Sequence, residues 1–208
     1  MTIFHLRLLP FAVLLLLGAG CSTAPSPTLY VLKAVDPTPG GGEVGATKSG
    51  PLTVALGPIT VPDYLDRTEI VRRATDNRLA VADNERWAES LRAGLQRVLA
   101  ADLAVCLGPT YWVTTGADRA DQADVEVPVD FETFEPDAAG RVVLTANWEA
   151  RWSHDLRRQV RDHSRYGGTA PIAGTEDQVR TMSKLVADLA ADVASAIAAG
   201  HKSDKNAR

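Results

Sequence analysis

From Val142 to Trp152 one set of side chains, Val142, Leu144, Ala146, Trp148, Ala150 and Trp152, alternates with a second set, Val143, Thr145, Asn147, Glu149 and Arg151. A period of two sends the two sets to opposite sides of a β-strand. One side is apolar along its whole length, so the strand needs paired neighbours and a cover. The neighbours are close in sequence. Val125, Val127, Val129 and Phe131 alternate with Glu126, Pro128, Asp130 and Glu132, and Asp137 to Gly140 reads as a turn. His154-Asp155 then turns the chain into Arg157 to His163, which completes an antiparallel meander. The cover is at the C-terminus, where Val179, Met182, Val186, Leu189, Val193 and Ile197 recur at three and four. Thr175-Glu176-Asp177-Gln178 matches a capping box at the start of this helix, and Gly200 marks its end. Packing on the sheet is the ordinary use of such a stripe; a coil-like contact with another protein is the alternative.

The first half reads as shorter elements. Leu29 to Leu32 and Leu52 to Val61 are strands, the second bracketed by Pro58 and Pro62. Pro62 to Asp66 is a turn, followed by strands at Glu69 to Arg73 and Arg78 to Val81. Asp83 or Asn84 is placed to N-cap a helix whose apolar face carries Trp87, Leu91, Leu95, Val98, Leu99 and Leu103. Ala104 to Val113 is expected to re-enter the sheet, with Gly108-Pro109 interrupting it.

Ahead of all this, one positive charge at Arg7 precedes the ten apolar residues Leu8 to Leu17 and then Gly18-Ala19-Gly20-Cys21. Ten residues suit the core of an export signal and fall well short of the roughly twenty needed to span a bilayer. The small residues before the cysteine resemble the lipobox of bacterial lipoproteins. That resemblance implies a signal peptide over 1–20 and acyl or diacylglycerol lipid on Cys21, the alternative being an ordinary secretory signal cut near Gly20. Ser22 stands where an aspartate typically retains a lipoprotein at the inner membrane, so it points to the outer membrane. Residues 21–28 form a tether, of which the stretch Ser22 to Pro27, with Pro25 and Pro27, reaches roughly 20 Å at about 3.1 Å per residue. Residues 36–50, with two prolines and five glycines, are expected to be a flexible loop and 201–208 a disordered tail.

Cleavage before Cys21 removes only Arg7 among the counted charges, leaving 21 basic and 26 acidic side chains, a net charge of −5. This balance, with no Lys/Arg cluster, excludes nucleic acid as a partner, since such binding depends on phosphate neutralisation. With Cys21 carrying lipid, Cys106 has no partner for a bridge and is expected in the core.

The search for chemistry is brief. None of the four histidines is paired at metal-ligand spacing, although His154 and His163 share one hairpin. Asp118, Asp121 and Asp124 lack the spacing of a calcium loop. No GxSxG, P-loop or GxGxxG occurs, and Gly40-Gly41-Gly42 is a linker. Glu132 and Glu135 form a conceivable carboxylate pair without an identifiable basic partner. Trp148 and Trp152 share a face with aliphatic residues and are assigned to the core rather than to a lipid groove or contact surface, as is Trp87. No catalytic residues, metal or cofactor are assigned.

The lipobox is followed in order by Tyr30-Val31-Leu32, Val54-Ala55-Leu56-Gly57-Pro58, and Val61-Pro62-Asp63-Tyr64-Leu65-Asp66-Arg67. Then come Ile70-Val71-Arg72-Arg73, Asn77-Arg78-Leu79 and Glu85-Arg86-Trp87-Ala88-Glu89-Ser90-Leu91. From about Leu29 to Leu103 the chain resembles the ABC-type transport auxiliary lipoproteins. The resemblance implies a domain over 29–200 with a three-layer α/β fold, a mixed sheet and two main amphipathic helices. It also implies a non-enzymatic outer-membrane lipoprotein, on the periplasmic face, serving a transporter of the mammalian-cell-entry (MCE) type. Such a protein docks the far end of a periplasmic conduit that carries lipids between membranes, and a homo-oligomeric ring is in keeping with the family. The turn from Pro62 to Arg67 suggests Tyr64, Leu65 and Arg67 as partner contacts; alternatively Tyr64 and Leu65 cover the end of the sheet. Two rival functions are a lipoprotein that binds lipid independently of a conduit, which requires an apolar cavity, and a periplasmic hydrolase, which requires a titratable pair in a cleft.

Overall fold

The computed structural model describes residues 26–35, 52–116, 122–170 and 174–206, with the backbone alone for 156 and 202–206. The signal peptide, Cys21, Ser22, Pro25, the 36–50 loop, Asp118 and Asp121 lie outside the described residues. The strands are β1 (Thr28–Tyr30), β2 (Leu52–Thr60), β3 (Glu69–Thr75), β4 (Arg78–Trp87), β5 (Tyr111–Thr115), β6 (Val125–Pro136), β7 (Arg141–Trp152) and β8 (Asp155–Thr169). Two helices, α1 (Leu91–Leu107) and α2 (Thr175–Asn206), complete a single α/β domain.

Five strands form a mixed sheet in the order β5-β2-β6-β7-β8, and β1-β4-β3 form a second, smaller sheet. β2 runs parallel to both its neighbours, whereas β6, β7 and β8 are the expected antiparallel meander. The six alternating residues from Val142 to Trp152 are all buried. They face α2, whose Val179, Met182, Val186, Leu189, Val193 and Ile197 are buried as well. The α2 stripe is therefore packed on the sheet and on α1. Leu95, Leu99 and Leu103 of α1 are fully buried in the same core. Each such side chain contributes about 1.5–3 kcal/mol relative to leaving it exposed. Cys106 is half-buried at the edge of the core, where burial and then the charge of Asp102 push its thiol pKa up.

Central placement changes the reading of β2. From Val54 to Gly57 it is buried on both faces rather than on alternate residues. Gly57 is needed there because a Cβ would stand 3.0 Å from the backbone nitrogen of Pro128 on β6.

The start of α1 also differs from expectation. Neither Asp83 nor Asn84 caps it, because β4 runs on to Trp87, with Thr28 to Tyr30 of β1 pairing in register with Glu85 to Trp87. The Trp87 N–H bonds Thr68 O at 2.7 Å and the Ala88 N–H bonds Tyr30 O at 2.8 Å, so this backbone is held by neighbouring chain. Trp87 is core as expected, but from a strand. Ser90 is the true cap, its Oγ accepting from Ala93 N at 3.2 Å. At the other end α1 continues through Ala104 to Leu107 and stops at Gly108, whose φ of 75° suits glycine; only Tyr111 onward re-enters the sheet.

Two connections join the small sheet to the helix pair. Residues 31–35 leave β1 and cross both helices: Lys33 N donates to Ser183 Oγ at 3.2 Å, and Val35 N donates to Asp102 Oδ1 at 3.1 Å. The second connection uses the residues expected to be a capping box. Arg72 of β3 donates to Gln178 Oε1 at 3.0 Å, to Thr175 Oγ1 at 2.6 Å and to Glu85 at 2.6 Å. The Thr175 hydroxyl in turn donates a hydrogen bond to Glu85 Oε1. Polar side chains that a lone helix would spend on its own first turn here bind the sheet. Although burial opposes it, the bonds from Thr175 and Arg72 hold the Glu85 carboxyl below its ordinary pKa.

Gly200 does not end α2, which runs to Asn206, and so 201–206 are helical rather than a disordered tail. His201 stands edge-on to Tyr111 of β5, 6.3 Å between ring centroids, which gives this last stretch a tertiary partner.

Candidate functional site

The turn after β2 places the three proposed contact residues very differently. Its backbone closes through Leu65 N to Pro62 O at 2.8 Å and Asp66 N to Pro62 O at 3.2 Å. That closure turns Leu65 inward, where it is 3% exposed and joins the core. Leu65 is thus not the exposed contact expected of it; it seals the end of the sheet, the alternative reading of this turn. Tyr64 is half-buried and donates its hydroxyl proton to Glu135 Oε2 at 3.2 Å. Arg67 alone of the three is exposed, paired with Glu69 at 3.0 Å, while its neighbour Asp66 binds Arg92 of α1 at 2.6 Å.

Tyr64 belongs to a buried polar cluster. Glu135 is 5% exposed and accepts from Arg73 Nε at 2.8 Å and from the backbone N–H of Phe134 at 3.0 Å. Burial, and then the charge and hydrogen bond of Glu135, push the Tyr64 pKa up. Glu135 in turn raises the pKa of Arg73. Arg73 is therefore the basic partner that the sequence did not reveal, because it lies 62 residues away on another sheet.

Glu132 and Glu135 do not work as a pair. Glu132 is exposed and accepts from Asn147 Nδ2 at 2.7 Å, with His163 Nε2 at 3.1 Å. The bond to His163, then that from Asn147, lowers its pKa. His154 meets a different carboxylate, Asp124, at 3.2 Å, so the hairpin does not bring the two histidines together. Among the described residues no group of three His, Cys, Asp or Glu side chains is arranged to hold a metal ion.

Away from the helices the five-stranded sheet carries a groove of about 610 Å³, lined among others by Pro58, Pro128, Asp130, Asn147, Arg151 and Arg161. Glu149 sits at its wall between Arg151 at 2.6 Å and Arg161 at 2.9 Å. The bond from Arg151, with that from Arg161, holds the Glu149 pKa low. These charges compensate one another, which suits an orienting or recognition surface more than proton transfer.

Among the described residues, several large apolar side chains stand in water, the most exposed of them at the margins of the two sheets. Leu29 is 61% exposed on β1, Val31 50% just beyond it, and Trp112 67% on β5, an edge of the larger sheet. Trp112 had no sequence signal, since a tryptophan in a short strand reads the same whether it faces core or solvent. No described helix is long and apolar enough to cross a membrane.

Residues 30–194 match the family described as ABC-type transport auxiliary lipoprotein component. Over 180 residues the chain is 25% identical to the intermembrane transport lipoprotein PqiC of Escherichia coli K12, a span of 86% of this chain and 91% of that protein. The same values hold for PqiC of Shigella flexneri. The fold is similar to a solved uncharacterized protein at a TM-score of 0.66 and 19% identity, covering 83% of this chain and 99% of the other. It is also similar to a solved protein from Xanthomonas campestris at a TM-score of 0.68 and 16% identity, covering 86% and 99%.

Proposed function

Because the chain belongs to the ABC-type transport auxiliary lipoprotein component family, we propose that it is the outer-membrane-anchored, non-enzymatic component that docks a periplasmic MCE-type conduit. The family is one of transport auxiliaries and not of enzymes. What carries the reading is the extent of the match: it runs from β1 into α2, through both sheets and both helices. The relative named for intermembrane transport aligns over nearly its whole length, which supports transport between membranes as the process served.

In this reading Cys21 carries the acyl chains and Ser22 directs the protein to the outer membrane. Two or three acyl chains hold a protein at a membrane almost permanently, since each buried methylene contributes about 0.8 kcal/mol. Arg67, the exposed one of the three candidate contacts Tyr64, Leu65 and Arg67, is the conduit contact, and several copies of the chain assemble around the conduit end. The transported molecule is a lipid.

In-cell crosslinking followed by purification from outer-membrane fractions tests this. A co-purifying protein that has an inner-membrane anchor and a periplasmic MCE domain is the expected result. Recovery of the chain alone, or only with itself, overturns the docking role.

A second reading, lipid binding independent of a conduit, is favoured by the groove of about 610 Å³ beside Pro58 and Pro128. Extraction of bound lipid from the purified domain, lost when Pro128→Glu places a charge in the groove, distinguishes it.

A further inference from the structure

The outward face of the small sheet carries features that packing does not use. Leu29 and Val31 lie two residues apart and point to solvent, while Tyr30 and Leu32 between and beyond them turn inward. Lys33 continues the outward row. Across the parallel register Leu29 is opposite Arg86 of β4, which is exposed. Neither Lys33 nor Arg86 has an acidic partner among the described residues. Glu69 of β3 is paired in register with Arg86, and its carboxylate is engaged by Arg67 at 3.0 Å. Among the described residues, two exposed aliphatic side chains are thus flanked by two cations without an acidic partner.

The row lies close along the chain to the proposed anchor. Leu29 is eight positions along the chain from Cys21. At most about 3.3–3.6 Å per residue, that places the row within roughly 28 Å of the lipid-bearing cysteine. Exposed apolar side chains beside exposed basic ones match the boundary between acyl chains and anionic headgroups, where each basic side chain near the surface adds to attraction.

We infer that the surface formed by Leu29 and Arg86 of the small sheet, with Val31 and Lys33 of the segment that leaves β1, rests on the membrane that holds the lipid anchor, with anionic phospholipid headgroups as its ligand. The inference rests on the Cys21 anchor of the proposed function. It fixes which side of the domain faces the bilayer. Arg67 at the rim of the same face then keeps the conduit contact beside the membrane.

The test places the photoreactive residue p-benzoylphenylalanine at Leu29 in one sample and at Trp112, on the other sheet, in a second. Both full-length proteins are produced in cells, processed there and reconstituted in vesicles of phosphatidylethanolamine and phosphatidylglycerol. Both positions are exposed, so neither replacement disturbs the core. After irradiation, phospholipid adducts are expected at Leu29 and not at Trp112, with yield falling roughly tenfold when Lys33→Gln and Arg86→Gln are combined. Equal adducts at the two positions, protein adducts at Leu29, or none there overturn the inference. The mass of the Cys21 peptide from the same sample separates the two failures. An acylated Cys21 without lipid adducts at Leu29 refutes the orientation alone, whereas an unmodified Cys21 refutes the anchor as well.

Discussion

Gly200 of α2 lies against the indole of Trp152 so closely that a Cβ at Gly200 would overlap the ring. The same indole carries Arg158 over it, the guanidinium carbon 4.8 Å from the ring centroid. A glycine that reads as a helix stop is in fact a helical residue whose missing side chain lets the end of the meander reach the helix backbone.

Gly200→Ala is therefore expected to destabilise the domain by about 1–3 kcal/mol, the usual cost of overpacking, even though alanine is the better helix former. Urea unfolding followed by tryptophan fluorescence checks this. An unchanged or higher midpoint would mean that Trp152 moves aside at no cost.

Arg73→Ala leaves the Glu135 carboxylate buried with Tyr64 and the Phe134 N–H as its remaining partners. A loss of about 3 kcal/mol is expected, because the charge of Glu135 is then uncompensated. Combining it with Glu135→Gln should recover part of that loss. A double-mutant cycle in chemical denaturation reads the coupling, and additivity would show that the pair is not a stabilising unit.

Leu65→Ala is expected to cost about 2–5 kcal/mol, as for a buried leucine, whereas Arg67→Ala should stay within about 0.5 kcal/mol of the parent. Only the Arg67 variant should fold normally and yet capture less conduit protein. Thermal melts beside the crosslinking yield separate the two roles.

Ser90→Ala should cost about 1 kcal/mol, while Asp83→Ala and Asn84→Ala should not produce a cap-sized loss. Circular dichroism melts of the three variants locate the start of α1.

The clamp of Glu85, Thr175 and Arg72 makes the junction of α2 with the small sheet acid-sensitive. The folded-state pKa of Glu85 is depressed, so its contribution is fully present above the unfolded value near 4.5 and is lost as pH falls through the lower folded value. The stability difference between the parent and Glu85→Gln should hold from pH 7 to about 5 and shrink below the unfolded value. A difference independent of pH down to 3 would show that the carboxylate is not held in its charged form.

Much of the architecture was legible because it is periodic. The alternation along β7 and the three-and-four spacing along α2 prescribe a half-buried strand and its covering helix whatever surrounds them. The turn at 62–68 was legible as a turn, but the direction of its side chains was not. Leu65 points inward because the closed backbone aims it at a core built by elements that follow it in sequence. The family likeness was also carried by short consecutive motifs, which is why the family was more readable than the site.

By itself the sequence determined the α/β class, the meander and the two helices, since each of these depends on local pattern. Tertiary structure alone decided that β1, β3 and β4 form a sheet of their own and that α1 begins at Ser90 rather than Asp83. It also decided that Thr175 and Gln178 bind Arg72 and that Gly200 makes room for Trp152. In each case a backbone group or side chain with a satisfactory local partner was taken by a distant one. A hydrogen bond or packing surface supplied across the fold outcompetes a local cap when it also buries apolar area, and that area is not visible from neighbouring residues.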